Sequence, residues 1–215
     1  MDISIGDRLE CDSDHKCYDI TIFNDQIHTL VTHDAHMLEH YLYDILSDKH
    51  NQEDRSKGRL IIGLDIEWCP SFNRNNENPP AILQLCVGKR CCIFQLSSAP
   101  EIPETLGMIL NLSDIKFVGV GIQRDVEKLI RFYNLRVANF VELGPLAAEK
   151  FKRDELRNDG LKDLAKEVLG LVIDKPRRVT LSRWDAAVLA TDQIQYASVD
   201  AYLSYEIGKK LISRK

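Results

Sequence analysis

One apolar stretch of this chain carries two acidic residues, Ile61-Ile62-Gly63-Leu64-Asp65-Ile66-Glu67-Trp68. Its run of aliphatic and β-branched residues predicts a buried strand. Because side chains alternate along a strand, Asp65 and Glu67 point to the same side. Burying carboxylates together costs on the order of several kcal/mol each unless cations neutralise them. The stretch therefore predicts a central strand that presents two acids to a cation, and a divalent metal is the obvious candidate.

Two later stretches add acids in the same kind of setting. Asp125 follows Gly121-Ile122 at the start of a predicted helix over 122–133, and Asp200 lies in a predicted helix over about 191–212. Residues four apart share a helical face, so Tyr196 and Asp200 point the same way. Mg²⁺ and Mn²⁺ prefer carboxylate and water oxygens. The candidate metal ligands are Asp65, Glu67, Asp125 and Asp200.

Four acids on separate elements, with no histidine or cysteine among them, suit phosphodiester hydrolysis. That reaction uses two divalent ions about 3.5–4 Å apart, which lower the pKa of the attacking water and stabilise the departing 3′ oxygen. Tyr196, one helical turn before the last acid, is a candidate for holding the attacking water through its hydroxyl. We therefore expect two Mg²⁺ or Mn²⁺ ions as cofactors.

Length and composition limit the protein class. The chain has 215 residues, 44% of them hydrophobic and 28% charged, which is ordinary for a globular domain. Its net charge of −5 argues against broad electrostatic binding of long duplexes. No apolar run approaches the roughly 20 residues of a membrane helix, and the amino terminus lacks a signal pattern. We expect a cytoplasmic protein, with the nucleus as the alternative, and no membrane partner.

The order of predicted elements indicates an α/β fold with a mixed β-sheet flanked by helices. Residues 1–16 are polar and predict a flexible amino terminus, and residues 17–215 predict a single domain. Two β-rich runs within 18–32 predict a hairpin. A charged loop is expected over 48–58. The six cysteines show no paired metal-ligand spacing and are expected to be reduced thiols.

Two features are candidates for contacts with a nucleic acid. A basic cluster precedes the third acidic stretch and could contact phosphates, although a solvated loop is the alternative. It consists of Lys175, Arg177, Arg178 and Arg183. Trp68, beside the first acids, could stack on a terminal base, although core packing is the alternative. His33, His36 and His40 have a helix-face spacing that could bind zinc, but a solvated polar face is the ordinary interpretation.

The three acidic stretches together resemble the DEDDy class of 3′–5′ exonucleases, which includes Werner-type and RNase D-like proteins. They match its order of Asp-x-Glu on a strand, Gly-Ile-x-x-Asp opening a helix and Tyr-x-x-x-Asp on a late helix. The sister class has a histidine five residues before the last acid, where this chain has Gln195. The resemblance spans about residues 60–212. It implies a ribonuclease H-like (DnaQ-like exonuclease) fold and metal-dependent hydrolysis at single-stranded 3′ ends.

Within that class, the chain is similar to the small plant RISC-interacting clearing exoribonucleases. The similarity lies in Val118-Gly119-Val120-Gly121-Ile122 and Leu146-Ala147-Ala148-Glu149. It implies single-stranded RNA as the substrate, association with an Argonaute (RISC) complex and a homo-oligomer, such as a ring hexamer. Two alternatives stay open, a Werner-type DNA exonuclease and a non-catalytic adaptor that binds nucleic acid. The complete set of acids and tyrosine argues against the adaptor.

Overall fold

The structure is a computed structural model that describes residues 3–7, 15–71 and 77–213. Within these residues, eight strands form one mixed sheet in the order β1-β2-β3-β6-β5-β4-β7-β8. The strands are β1 (Ile3–Asp7), β2 (His15–Ile22), β3 (Asp25–Thr32), β4 (Leu60–Glu67), β5 (Ile82–Val87), β6 (Arg90–Phe94), β7 (Ile115–Gly119) and β8 (Phe140–Glu142). β3 runs parallel to β6, and β7 runs parallel to both β4 and β8, whereas the other neighbours are antiparallel. The predicted mixed sheet is confirmed.

Helices cover both faces of this sheet. They are α1 (Ala35–Ser47), α2 (Lys49–Ser56), α3 (Glu104–Leu110), α4 (Ile122–Tyr133), α5 (Leu143–Phe151), α6 (Leu161–Leu164), α7 (Arg177–Thr180) and α8 (Thr191–Ser213). Short 3₁₀ and π-helical segments cover Asp154–Asn158 and Ala165–Leu169. One core layer includes α5, α6 and α8, and the other includes α1, α3 and α4. Among the described helices, none combines the length and apolar character that a membrane crossing requires.

Strand β4 is buried between these two layers, as its apolar sequence predicts. Leu60, Ile62, Leu64 and Ile66 belong to the core layer of α1, α3 and α4. The alternate positions, which include Gly63 and Asp65, face α8. The two-residue period of the strand thus turns the predicted acids towards the long carboxy-terminal helix.

The amino-terminal residues differ in part from the expected flexible segment. Residues 3–7 form β1, which pairs antiparallel with β2 along the edge of the sheet, and β2 already begins at His15. Ile3 and Ile5 alternate along β1 and pack against the core layer of α8, which gives the strand a buried side. Residues 3–7 and 15–16 therefore lie in strands, and the flexibility of the segment stays a prediction. The rest of 1–16 lies outside the described residues.

The expectation of a charged loop over 48–58 is wrong, because Lys49–Ser56 form α2. Asp48 caps this helix by accepting hydrogen bonds from the backbone N–H groups of His50 and Asn51 at 2.9 and 3.1 Å. Ion pairs four residues apart, such as Glu53 with Lys57 at 3.6 Å, add small stabilising terms. A helix without an apolar face escapes detection by hydrophobic periodicity.

Two of the cysteines are joined, contrary to the expectation of reduced thiols. Cys86 in β5 and Cys91 in β6 are direct cross-strand partners, and they form a disulfide. The hairpin brings their Cα atoms to 4.1 Å, so the strand register places the two sulfurs together. Cys69 and Cys92 carry free thiols. Cys11 lies outside the described residues.

Candidate active site

A close approach between β4 and α8 brings the first and third acidic stretches together. Gly63 faces the helix so tightly that a Cβ atom there would lie 2.1 Å from the carbonyl oxygen of Ala201. Only a residue without a side chain fits at this crossing. Asp65 stands two residues further along the same face of β4, where it meets Asp200 of α8.

A glycine with a left-handed backbone positions Asp125. Gly121 has φ of +75° at the start of α4, a conformation that an L-residue with a side chain rarely adopts. Its carbonyl oxygen accepts a hydrogen bond from the Arg124 N–H at 3.0 Å, and this turn places Asp125 in the first turn of α4. The Asp125 side chain is 5% exposed and lines the same cavity as Asp65. The glycine of the Gly-Ile-x-x-Asp motif therefore turns the chain, and the spacing of the motif places Asp125 at the cavity.

All four predicted metal ligands line one cavity of about 260 Å³. Carboxylate oxygens of Asp65, Glu67 and Asp200 lie within 4.8 Å of one another. Asp125 is not part of this close group, but its charge acts on both Asp65 and Glu67 across the cavity. The structure thus brings residues 65, 67, 125 and 200 to one place, although they are up to 135 positions apart in the sequence.

Burial and mutual repulsion raise the pKa values of these acids. Burial first and Asp200 second raise the pKa of Asp65 to about 7. Burial first and Asp65 second raise the pKa of Asp125 to about 9 and that of Glu67 to about 10. Burial also raises the pKa of Asp200, against the lowering effect of Lys175. Without an added cation, the cluster therefore keeps protons that isolated carboxyl groups would release.

The oxygen atoms of the cluster fit a divalent cation. Within the described part of the chain, Asp125 Oδ2 is buried without a hydrogen-bond partner, and Asp200 Oδ2 has only its ion-pair contact with Lys175. Buried polar atoms seldom lack a partner in proteins, and a bound ion can satisfy those that no protein group reaches. Asp65, Glu67, Asp125 and Asp200 offer the hard oxygen ligands that Mg²⁺ and Mn²⁺ prefer. Such ions, when bound, activate water and stabilise developing negative charge.

Tyr196 is held one turn before Asp200 in α8, as predicted. The Thr180 hydroxyl donates a hydrogen bond to the Tyr196 oxygen at 3.1 Å. The tyrosine ring packs against the fully buried Trp184, with ring centroids 5.9 Å apart. Burial first and Asp200 second raise the pKa of Tyr196 to about 12, so its hydroxyl keeps its proton near neutral pH. The residue is therefore a fixed hydrogen-bond donor beside the acids.

The residues of the predicted basic cluster have different surroundings. Lys175 lies in the cavity, with its Nζ 2.5 Å from Asp200 Oδ2. Arg178 and Arg183 are on the surface, paired with Asp192 at 2.9 Å and with Asp185 at 3.2 Å. Arg177 is exposed at the start of α7. The sequence cluster thus supplies one cation to the acids and three to the surface.

Trp68 lies at the border between the acidic cavity and the core. It lines the acidic cavity and also packs against the core layer of α1, α3 and α4. Lys128 Nζ lies 4.7 Å and Arg124 Cζ 5.2 Å from the centre of its ring, which are cation–π distances. Arg124 also lines the cavity, with 66% of its side chain exposed. Sequence reasoning did not single out Arg124, although it directly precedes Asp125 in the helix-opening motif.

Gln84 is a second residue that sequence reasoning missed. It lies in β5 directly opposite Asp65 in the strand register, and it is 1% exposed. Paired residues in neighbouring strands put their side chains on the same face of the sheet. Neither polar atom of its amide has a hydrogen-bond partner among the described residues. A lone polar residue within the apolar run of 81–87 was the available signal.

The mixed sheet and its flanking helices form a ribonuclease H-like (DnaQ-like) fold. The chain belongs to the 3′–5′ exonuclease family, whose sequence profile matches residues 43–214. The predicted fold and the predicted family are both confirmed.

Individual relatives agree with this assignment. Mouse WRN, a bifunctional 3′–5′ exonuclease/ATP-dependent helicase, is 38% identical over 152 residues, which are 70% of this chain and 11% of WRN. A 3′–5′ exonuclease of Arabidopsis thaliana is 32% identical over 171 residues, 79% of this chain and 57% of that protein. The chain therefore spans little more than half the length of the second relative and about a tenth of the first. The structure of Escherichia coli RNase D has the same fold, with a TM-score of 0.61 at 20% identity over 78% of this chain and 43% of that one.

Proposed function

We propose that this exonuclease is a two-metal exoribonuclease that removes nucleotides from single-stranded 3′ ends. The observation that carries the proposal is the acidic cavity, in which three carboxylates lie within 4.8 Å and the buried Asp125 Oδ2 has no partner among the described residues. Four carboxylates offer enough oxygen ligands for two Mg²⁺ or Mn²⁺ ions. A scaffold that only bound nucleic acid would gain nothing from burying these mutually repelling groups.

Each residue of the cavity has a role in this proposal. Asp65, Glu67, Asp125 and Asp200 hold the metals. Tyr196, fixed by its hydrogen bond with Thr180, orients the attacking water through its hydroxyl. Arg124 and Lys175 supply positive charge beside the phosphate, and Trp68 stacks on the terminal base. The nucleic-acid strand is contacted at the protein surface by Arg177, Arg178 and Arg183.

The metal ligands are tested by removing them one at a time. Asp65→Ala and Asp200→Ala should abolish the Mg²⁺-dependent shortening of a 5′-labelled single-stranded oligonucleotide, while circular dichroism shows an intact fold. Asp154→Ala is the matched control, because Asp154 is an acid with a 92% exposed side chain outside the cavity. Full activity in either cavity variant would refute the assignment.

The substrate is tested with matched RNA and DNA oligonucleotides, single- and double-stranded, in one assay. The resemblance to clearing exoribonucleases supports RNA, and faster shortening of the DNA strand would favour the Werner-type alternative. Binding without cleavage in the presence of Mg²⁺ or Mn²⁺ would favour the adaptor.

The same resemblance supports three proposals about cellular context. The protein would clear RNA fragments in RNA silencing as a partner of an Argonaute (RISC) complex. It would act in the cytoplasm and assemble as a homo-oligomer, such as a ring hexamer. Light scattering tests the assembly, and a mass near the 24.6 kDa of one chain would contradict it.

A further inference from the structure

Lys175 lies inside the acidic cluster. Its Nζ is 2.5 Å from Asp200 Oδ2 and 4.8 Å from the centre of the Tyr196 ring. Its side chain is 25% exposed, and that of Asp200 is 2% exposed, so the pair is largely shielded from water. Lys175 therefore contacts an acid of the cluster directly.

The charge of Lys175 acts on the whole close group of acids. It lowers the pKa of Asp65, Glu67 and Asp200, whereas burial raises the pKa of all three. Burial opposes the charge of Lys175 itself and is the largest single effect, but Asp200, Tyr196 and Asp65 together outweigh it and keep the pKa of the lysine above its ordinary value. The ammonium group thus offsets part of the negative charge that the carboxylates share.

We propose that Lys175 is a built-in counter-ion, which holds the acidic cluster together without metal and must leave Asp200 Oδ2 when a divalent cation binds. The inference rests on the proposed metal site and adds a competition within it. Asp200 Oδ2 has no other partner among the described residues, so the ammonium group and a metal ion compete for the same oxygen. Lys175 is a positioning residue in this scheme, because it acts on the metal ligands.

A second cavity gives the displaced side chain a place to go. This cavity has a volume of about 190 Å³, and Lys175 and Asp200 line both cavities. Asp174 and Asp192 also line it, paired with Lys162 at 3.8 Å and with Arg178 at 2.9 Å, so an ammonium group that turns away from Asp200 would join existing ion pairs. A rotation of the lysine side chain therefore releases the metal-binding oxygen without moving the backbone.

The test measures metal affinity directly, by calorimetry or by Mn²⁺ electron paramagnetic resonance. Lys175→Met removes the competing charge, so we expect it to bind Mn²⁺ about tenfold more tightly than the wild type. Lys175→Gln should show the same gain and keeps a polar side chain in case the methionine variant folds poorly. The control is Lys209→Met, which removes an equal charge from an exposed position of α8 and should leave the affinity unchanged.

Thermal unfolding adds a second readout. In EDTA, both Lys175 variants should unfold at a lower temperature than Lys209→Met, and saturating Mn²⁺ should raise their Tm by more than it raises that of the wild type. Unchanged or weaker Mn²⁺ binding in both Lys175 variants, measured where their unfolding curves show that they are folded, would overturn the inference. Absence of Mn²⁺ binding by the wild type would instead overturn the proposed metal site.

Discussion

Replacing Gly63 by alanine tests whether the contact between β4 and α8 sets the geometry of the active site. The added Cβ would lie 2.1 Å from the carbonyl oxygen of Ala201 and 2.8 Å from the backbone nitrogen of Tyr205. Both are backbone atoms of a long helix, so no side-chain rotation can relieve the overlap. The strand and the helix must therefore move apart.

The size of the effect follows from these distances. Contacts of a Cβ atom below 3.0 Å are essentially absent from proteins, so α8 must move away from β4 by about 1 Å. A displacement of this size in an active site can lower the rate by about 10²-fold. Overpacking of this kind also destabilises a protein by about 1–3 kcal/mol. The movement separates Asp65 from Asp200, so we expect Mn²⁺ affinity to fall together with the rate.

The assay compares Gly63→Ala with Gly107→Ala, for which the nearest atom to the new Cβ is Leu135 Cδ2 at an ordinary 3.7 Å. Gly107 lies in α3, where alanine is the better helix former, so this control should be at least as stable as the wild type. Urea unfolding gives the stability, and shortening of a labelled oligonucleotide gives kcat at a temperature where both variants are folded. Activity of Gly63→Ala within about threefold of the wild type would refute the reasoning.

Three other predictions concern side chains in or beside the cavity. In the metal-free protein the pKa of Asp65 is raised to about 7 and that of Asp125 to about 9. The folded state therefore holds protons that the unfolded state releases above about pH 4. The free energy of unfolding should consequently fall as the pH rises from about 4 towards 9. Unfolding in EDTA across this range should show the loss, Asp65→Asn should reduce it, and a flat profile would contradict the raised values. Tyr196→Phe should lower kcat by roughly 10²-fold and leave Mn²⁺ affinity unchanged, because the proposed role of its hydroxyl is to orient water and not to bind metal. An unchanged kcat would exclude this role. Gln84→Met should raise the free energy of unfolding by about 1 kcal/mol, because an apolar side chain of similar size replaces a buried amide that has no partner among the described residues. A lower free energy of unfolding would show that the amide has hydrogen-bond partners in solution.

The sequence predicts β4, α4 and α8 well because each has a long and regular pattern. The apolar run of 60–68 gives a strand over Leu60–Glu67, and the expected helix over 122–133 matches α4 at both ends. The four acids come from motifs with fixed local spacing, so they could be predicted before the sheet order was known. β1 was missed because it is only five residues long and depends on pairing with β2. α2 was missed because polar contacts stabilise it and leave little hydrophobic periodicity.

The surroundings of Lys175 and Gln84 could not be predicted in the same way. Lys175 stands close in sequence to three arginines, yet its partner is Asp200, 25 positions later. Gln84 lies opposite Asp65 only because β4 and β5 pair in one particular register. Both contacts depend on how elements that are distant in the sequence pack and pair, and a local sequence pattern does not contain that information.

Packing of the backbone, more than hydrogen bonding, fixes the acids in place. Glycines stand where α8 crosses its neighbours, because a Cβ at Gly63 would overlap the helix and a Cβ at Gly208 would lie 2.7 Å from Val118 in β7. Hydrogen bonds lower the pKa of a carboxyl group, and those that Asp65 accepts from the Ile66 N–H at 3.0 Å and Asp200 accepts from Tyr196 do so here, but burial outweighs them. Here the close crossing of strand and helix brings the carboxylates together, and Asp125 Oδ2 still has no partner among the described residues. A rigid crossing with unsatisfied acids is the arrangement that a metal-dependent nuclease needs, since the cation then meets ligands that are already in position.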